Sequence, residues 1–143
     1  MRKVLTVCLG NHCRSPFAAL ALARRGAAEL EVRSAGLIGK WEGEPANEAM
    51  VAAARRLGLD LTAHHAQQIT LEVLDWADIV LAMDTAVLET LRAICGEKNA
   101  EKLALYLNDR DVPDPMGKDQ AVFNDCALLI EAGTALHVGR PDR

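Results

Sequence analysis

Cys8, Arg14 and Ser15 stand within one octapeptide, Cys-Leu-Gly-Asn-His-Cys-Arg-Ser, a combination suited to binding and attacking a phosphoryl group. A phosphoryl dianion needs many donors around one point. A tight loop running into a helix start supplies them as backbone N–H groups and adds the positive end of the helix dipole. Gly10 and Asn11 tolerate the positive φ angles that turn successive N–H groups inward. Arg14 contributes a planar, permanently charged fork for two phosphate oxygens. The same positive field favours the thiolate of Cys8, the form in which a cysteine is a nucleophile. Ser15 is placed either to donate a hydrogen bond to that sulfur or simply to cap the helix. The competing reading, a buried structural cysteine near a solvated arginine, leaves the Gly/Asn loop and Pro16 unexplained.

Expelling an alcohol or phenol oxygen also needs a proton donor. Asp114, in Val112-Pro113-Asp114-Pro115, offers a carboxyl, but an Asp-Pro pair is more often a turn signal, and Asp109 and Asp111 are close rivals. Spacing alone does not choose among the three.

These residues need elements to hold them. Lys3 to Val7 reads as a strand, the octapeptide as a loop, and the alanine-rich stretch Phe17 to Ala28 as a helix led by Pro16. Leu30 to Ser34 is a second strand. Leu37 to Pro45 is a loop with Trp41, and Ala46 to Leu57 is a helix closed by Gly58. Further on come a short helix at Thr70 to Trp76, a buried strand at Asp78 to Ala82, a helix at Thr85 to Cys95 ended by Gly96, and a strand at Lys102 to Leu107. A polar loop from Asp109 to Asp119 precedes a last helix, Gln120 to Leu136. Alternating strands and helices argue for a four-stranded parallel sheet covered on both faces, and ligands of such folds bind beyond the carboxyl ends of strands, where Cys8 lies.

The 143 residues, half of them hydrophobic, suit one domain, assigned to 1–138 with a flexible tail at 139–143. Sixteen basic against twenty acidic residues, without a basic block, argue against nucleic acid as a partner. No apolar run reaches the roughly 18 residues of a membrane span. Four scattered cysteines without an export signal suit a reducing cytoplasm, and no His/Cys/Asp grouping has metal-ligand spacing, so no metal or cofactor is expected. Cys95 and Cys126 carry no motif and read as core.

The stretch Cys8 to Pro16 resembles the low-molecular-weight protein tyrosine phosphatases of bacterial type, whose loop pattern is Cys-x-Gly-Asn-x-Cys-Arg-Ser-Pro. Ser34-Ala35-Gly36, Gly58-x-Asp60 with His64, Ala77 to Asp84 and Asp114-Pro115 follow in the family's order. The resemblance implies a flavodoxin-like three-layer α/β/α fold of the phosphotyrosine phosphatase I type. It implies a cysteinyl-phosphate intermediate, with Cys8, Arg14 and Asp114 catalytic. Leu9, Gly10, Asn11, His12, Cys13, Ser15, Trp41 and Met116 would bind substrate, and His64 and Asp84 would support the site. Cys13 would be able to form a reversible disulfide with Cys8, or serve only packing. The implied substrate is a phosphorylated protein or small phosphomonoester, with a cognate tyrosine kinase as a further partner.

Two positions depart from the tyrosine-directed pattern. Met116 stands where an aromatic residue is common, and His12 stands where isoleucine accompanies phosphotyrosine and threonine phosphoarginine. A protein-arginine phosphatase is therefore an alternative. A thiol-linked arsenate reductase is another, although Cys95 and Cys126 lack the close spacing a disulfide relay needs. A module that only binds an oxyanion would have no use for Cys8, Arg14 and an acid together.

Overall fold

The structure is a computed structural model and describes residues 1–138; the tail assigned to 139–143 lies outside the described residues. Four parallel strands, β1 (Arg2–Cys8), β2 (Leu30–Gly36), β3 (Ile79–Ala82) and β4 (Leu103–Leu105), form one sheet in the order β2-β1-β3-β4. The chain builds outward from β1 first to one side and then to the other, so the order reverses between β1 and β3. Such a reversal leaves a crevice at the carboxyl ends of the strands, and Cys8 is the last residue of β1.

Side chains alternate across the sheet as a two-residue period requires. Val4 and Cys8 of β1 face one core with Leu81, whereas Leu5 and Val7 face another with Val80 and Ala82. The first core is covered by α1 (Arg14–Gly26), α2 (Glu48–Arg56) and α6 (Gln120–Gly133), through Phe17, Leu22, Met50, Phe123 and Ile130. The second is covered by α3 (Leu71–Trp76) and α4 (Thr85–Ile94), through Leu74, Val87, Leu88 and Leu91. The result is the three-layer α/β/α arrangement.

Element boundaries differ from the sequence expectation in instructive places. β2 runs on through Ala35 and Gly36 because these pair with Val7 and Cys8. A side chain at Gly36 would stand 2.5 Å from the Gly10 carbonyl carbon and 2.6 Å from the Asn11 nitrogen, so only glycine lets the strand pass beneath the loop. Gly96 does end α4, with φ of +73°, but the chain re-enters a short helix at once, α5 (Gly96–Ala100). α2 begins after Asn47, not at Ala46, because the Asn47 side chain accepts the first free N–H groups, those of Ala49 and Met50. The last helix gives way at Thr134 to a 3-10 turn, and Gly133 allows Tyr106 and Leu107 to pack closely there.

Candidate active site

Beyond the end of β1 the loop curls over Gly36 and enters α1. Asn11 takes the left-handed backbone, φ 54°. Gly10 does not share that conformation, contrary to expectation; it must be glycine because a side chain would run into the Trp41 ring. Ser15 is not a cap, since the N-cap position belongs to Cys13, whose side chain makes no capping bond. The Ser15 hydroxyl lies 3.0 Å from Cys8 Sγ and accepts a hydrogen bond from Asn11 Nδ2 at 2.9 Å. Its single proton is thus available to the sulfur, with the Ala35 carbonyl, at 3.4 Å, as the other acceptor.

Asn11 and Ser15 are fully buried and do not line the cleft. They hold the loop instead. Asn11 Oδ1 accepts the Gln67 N–H at 2.9 Å, and the Asn11 carbonyl lies 2.8 Å from His64 Nε2. A carbonyl can only accept, so Nε2 carries the proton. Burial lowers the His64 pKa and outweighs this hydrogen bond, which raises it.

Arg14 is 3% exposed. One of its terminal nitrogens donates both to Asp84 Oδ2 and to the Val112 carbonyl, each at 2.8 Å. Burial works against its charge, but the Asp84 hydrogen bond, with the charges of Cys8 and Asp114, outweighs that and raises its pKa. The other terminal nitrogen lies 3.8 Å from Asp114 Oδ2. Asp84 therefore has two duties, since its Oδ1 also caps α4 through the Val87 N–H. Asp111 is engaged away from the loop: its Oδ1 accepts the backbone N–H and hydroxyl of Thr85. Asp109 borders a separate hollow of about 510 Å³ alongside α6 that contains no nucleophile.

The cleft itself measures about 150 Å³ and is lined by Cys8, Leu9, Gly10, His12, Cys13, Arg14, Trp41, Asp114 and Met116. The Cys8 sulfur, the Arg14 guanidinium and the Asp114 carboxyl thus share one small space. His12 and Trp41 stack nearly parallel, 5.1 Å between centroids and 5° between planes, forming a flat aromatic wall. Burial lowers the His12 pKa, so this wall is uncharged at neutral pH.

All four cysteines are free thiols. Burial pushes the Cys13 thiol well up and the Cys126 thiol up to about 12, so both are protonated at neutral pH. Cys126 packs in the same core as Cys13, with its sulfur 3.9 Å from the Pro113 carbonyl. Among the described residues no group of three or more His, Cys, Asp or Glu could hold a metal ion, and no helix is long and apolar enough to cross a membrane. Sequence reasoning missed Val112, whose contribution is a carbonyl and leaves no residue-type signal. It also missed Gln67, which acts through its backbone, and Asn47, whose role beyond capping depends on a distant loop.

Comparison with known proteins agrees with this geometry. The family model of low molecular weight phosphotyrosine protein phosphatase matches residues 3–137. The chain is 34% identical to the probable low molecular weight protein-tyrosine-phosphatase EpsP of Ralstonia solanacearum, over 98% of this chain and 96% of that one. It superimposes on Vibrio vulnificus Wzb in complex with benzylphosphonate with a TM-score of 0.88 at 28% identity, covering 94% and 95% of the two chains. YwlE arginine phosphatase from Geobacillus stearothermophilus superimposes with a TM-score of 0.88 at 28% identity, covering 94% and 89%.

Proposed function

The chain belongs to the low molecular weight phosphotyrosine protein phosphatases, and from that premise we propose that it dephosphorylates phosphotyrosine in proteins through Cys8. The convergence of Cys8, Arg14 and Asp114 on one cleft carries this reading. The phosphoryl group sits in the loop, with its oxygens on backbone N–H groups and on the Arg14 hydrogens that Asp84 and Val112 leave unused. The Cys8 thiolate attacks phosphorus, an S–P bond forms, and the P–O bond to the leaving group breaks. Asp114 gives its proton to the departing oxygen. As a carboxylate it then takes a proton from water, which attacks phosphorus, breaks the S–P bond and releases inorganic phosphate and the thiolate. The hydrogen bond from Ser15 stabilises the sulfur anion at both ends of the cycle.

The flat wall of His12 and Trp41, together with the Met116 thioether that lines the same cleft, suits a phenyl ring. A phosphoarginine substrate is the second reading, favoured by an imidazole on the cleft wall that can accept from a guanidinium N–H. Residues 1–138 act as one domain in a cytoplasmic setting, and the partners are a phosphoprotein and the tyrosine kinase that modifies it.

The test is Cys8→Ser against a phosphotyrosine peptide. Hydrolysis is expected to vanish while inorganic phosphate still binds; full turnover in the variant removes the nucleophile from this reading. Turnover of phosphoarginine but not phosphotyrosine peptides by the unaltered protein decides for the second substrate.

A further inference from the structure

Asn47 makes three kinds of contact that lead in three directions. Its backbone N–H donates to the His12 carbonyl of the phosphate loop at 2.9 Å. Its Oδ1 accepts the N–H groups of Ala49 and Met50, at 2.8 and 3.2 Å, as the cap of α2. Its Nδ2 donates to the sulfur of Met116 at 3.6 Å. The amide is planar, so once the helix fixes Oδ1 the direction of Nδ2 is fixed as well. Aspartate, serine and asparagine cap helices about equally well, but only asparagine carries a separate N–H group beside its capping oxygen to give to a thioether.

Met116 in turn bears on the acid. Its backbone N–H donates to Asp114 Oδ1 at 3.1 Å, which leaves Oδ2 as the oxygen near Arg14, at 3.8 Å. A continuous line therefore runs from the His12 carbonyl through Asn47 and Met116 to the carboxyl of Asp114. The far end of the same loop is fastened to the same helix, because Gln120 Nε2 donates to the Ala49 carbonyl at 2.8 Å. The first turn of α2 is thus the platform on which both ends of the 114–120 segment rest.

We propose that Asn47 is a positioning residue, which holds the proton-donating loop in register with the phosphate loop. The proposal rests on Asp114 being the proton donor. It touches neither substrate nor reacting atoms, so its influence falls on the step in which the leaving oxygen takes a proton.

The experiment compares kcat/KM for p-nitrophenyl phosphate, whose leaving group departs without help, with that for phenyl phosphate, whose leaving group needs the proton. Asn47→Ser keeps a cap and deletes the amide donor. It is expected to leave Tm within about 2 °C of the parent. It should leave the p-nitrophenyl phosphate value nearly unchanged while that for phenyl phosphate falls roughly 3- to 10-fold, a fraction of what a general acid contributes. Met116→Leu attacks the contact from the other side and should add to phenyl phosphate its own selective loss. In the double variant that selective loss should not exceed the larger of the two single ones. Equal losses on both substrates, no change on either, or additive selective losses overturn the proposal. An unaltered protein that turns over neither substrate instead defeats the phosphatase reading itself. A phenyl phosphate rate unchanged in Asp114→Asn defeats the choice of acid.

Discussion

A hydroxyl has one proton to give, and at Ser15 that proton has two claimants, Cys8 Sγ at 3.0 Å and the Ala35 carbonyl at 3.4 Å. Asn11 Nδ2 donates to the same oxygen, and once the sulfur is a thiolate, which can only accept, it outcompetes the more distant carbonyl for the hydroxyl proton. The octapeptide announced most of this in the sequence, since residue types and spacing alone imply the chemistry. What it did not announce is division of labour: Asn11 and Ser15 support the loop, whereas His12 and Trp41 face the cleft. Asp114 was no better than Asp111 on spacing, and the Asp111 bonds to Thr85 separate them. Asp114→Asn is accordingly expected to lower kcat/KM by roughly 100-fold or more for phenyl phosphate. The loss should be much smaller for p-nitrophenyl phosphate. Equal rates for the two proteins on phenyl phosphate would place the acid elsewhere.

Among the elements, β2 shows how a strand can shape a loop it never joins. Its final glycine lies directly under the Gly10–Asn11 peptide, and the atoms that an added side chain would meet are backbone, which cannot rotate away. Gly36→Ala should therefore push the phosphate loop outward. The expected cost is about 1 to 3 kcal/mol in urea unfolding, typical of overpacking. A drop in kcat/KM of roughly 10-fold or more for p-nitrophenyl phosphate should accompany it, since small misplacements near reacting atoms are expensive. An unaltered rate in a folded variant would show that the loop yields without consequence. The strands and the longer helices were legible from β-branched runs, alanine-rich stretches and glycine stops. Their ends were not, because β2 is prolonged by pairing with Val7 and Cys8 and α5 begins on a glycine that ordinarily marks a stop.

Across the whole molecule, three histidines are partly or fully buried, and burial lowers the pKa of each: His12 and His64 beside the phosphate loop, and His137 against the Tyr106 carbonyl at 2.6 Å. The unfolded chain takes up these protons near pH 6.5 while the folded one resists. The histidine contribution to stability is thus complete above about pH 6.5 and is lost as pH falls through the lower folded values. Tm should decline between about pH 7 and pH 5, above the range where most carboxylates titrate. The slope should be shallower in His137→Gln, and an identical slope would remove His137 from the account. No periodicity or motif marked His137, since its partner is again a carbonyl brought from another element. The tie between Arg14 and the Val112 carbonyl spans 98 positions, and its consequence lies in time. Synthesis delivers the nucleophile early and the acceptor that orients its guanidinium partner late, and contacts of such long range form only after the intervening chain has been ordered. A growing chain halted before Val112 carries the whole phosphate loop and Asp84 but lacks the second acceptor on the Arg14 guanidinium, so the arginine is held on both only once the closing third of the polypeptide is made.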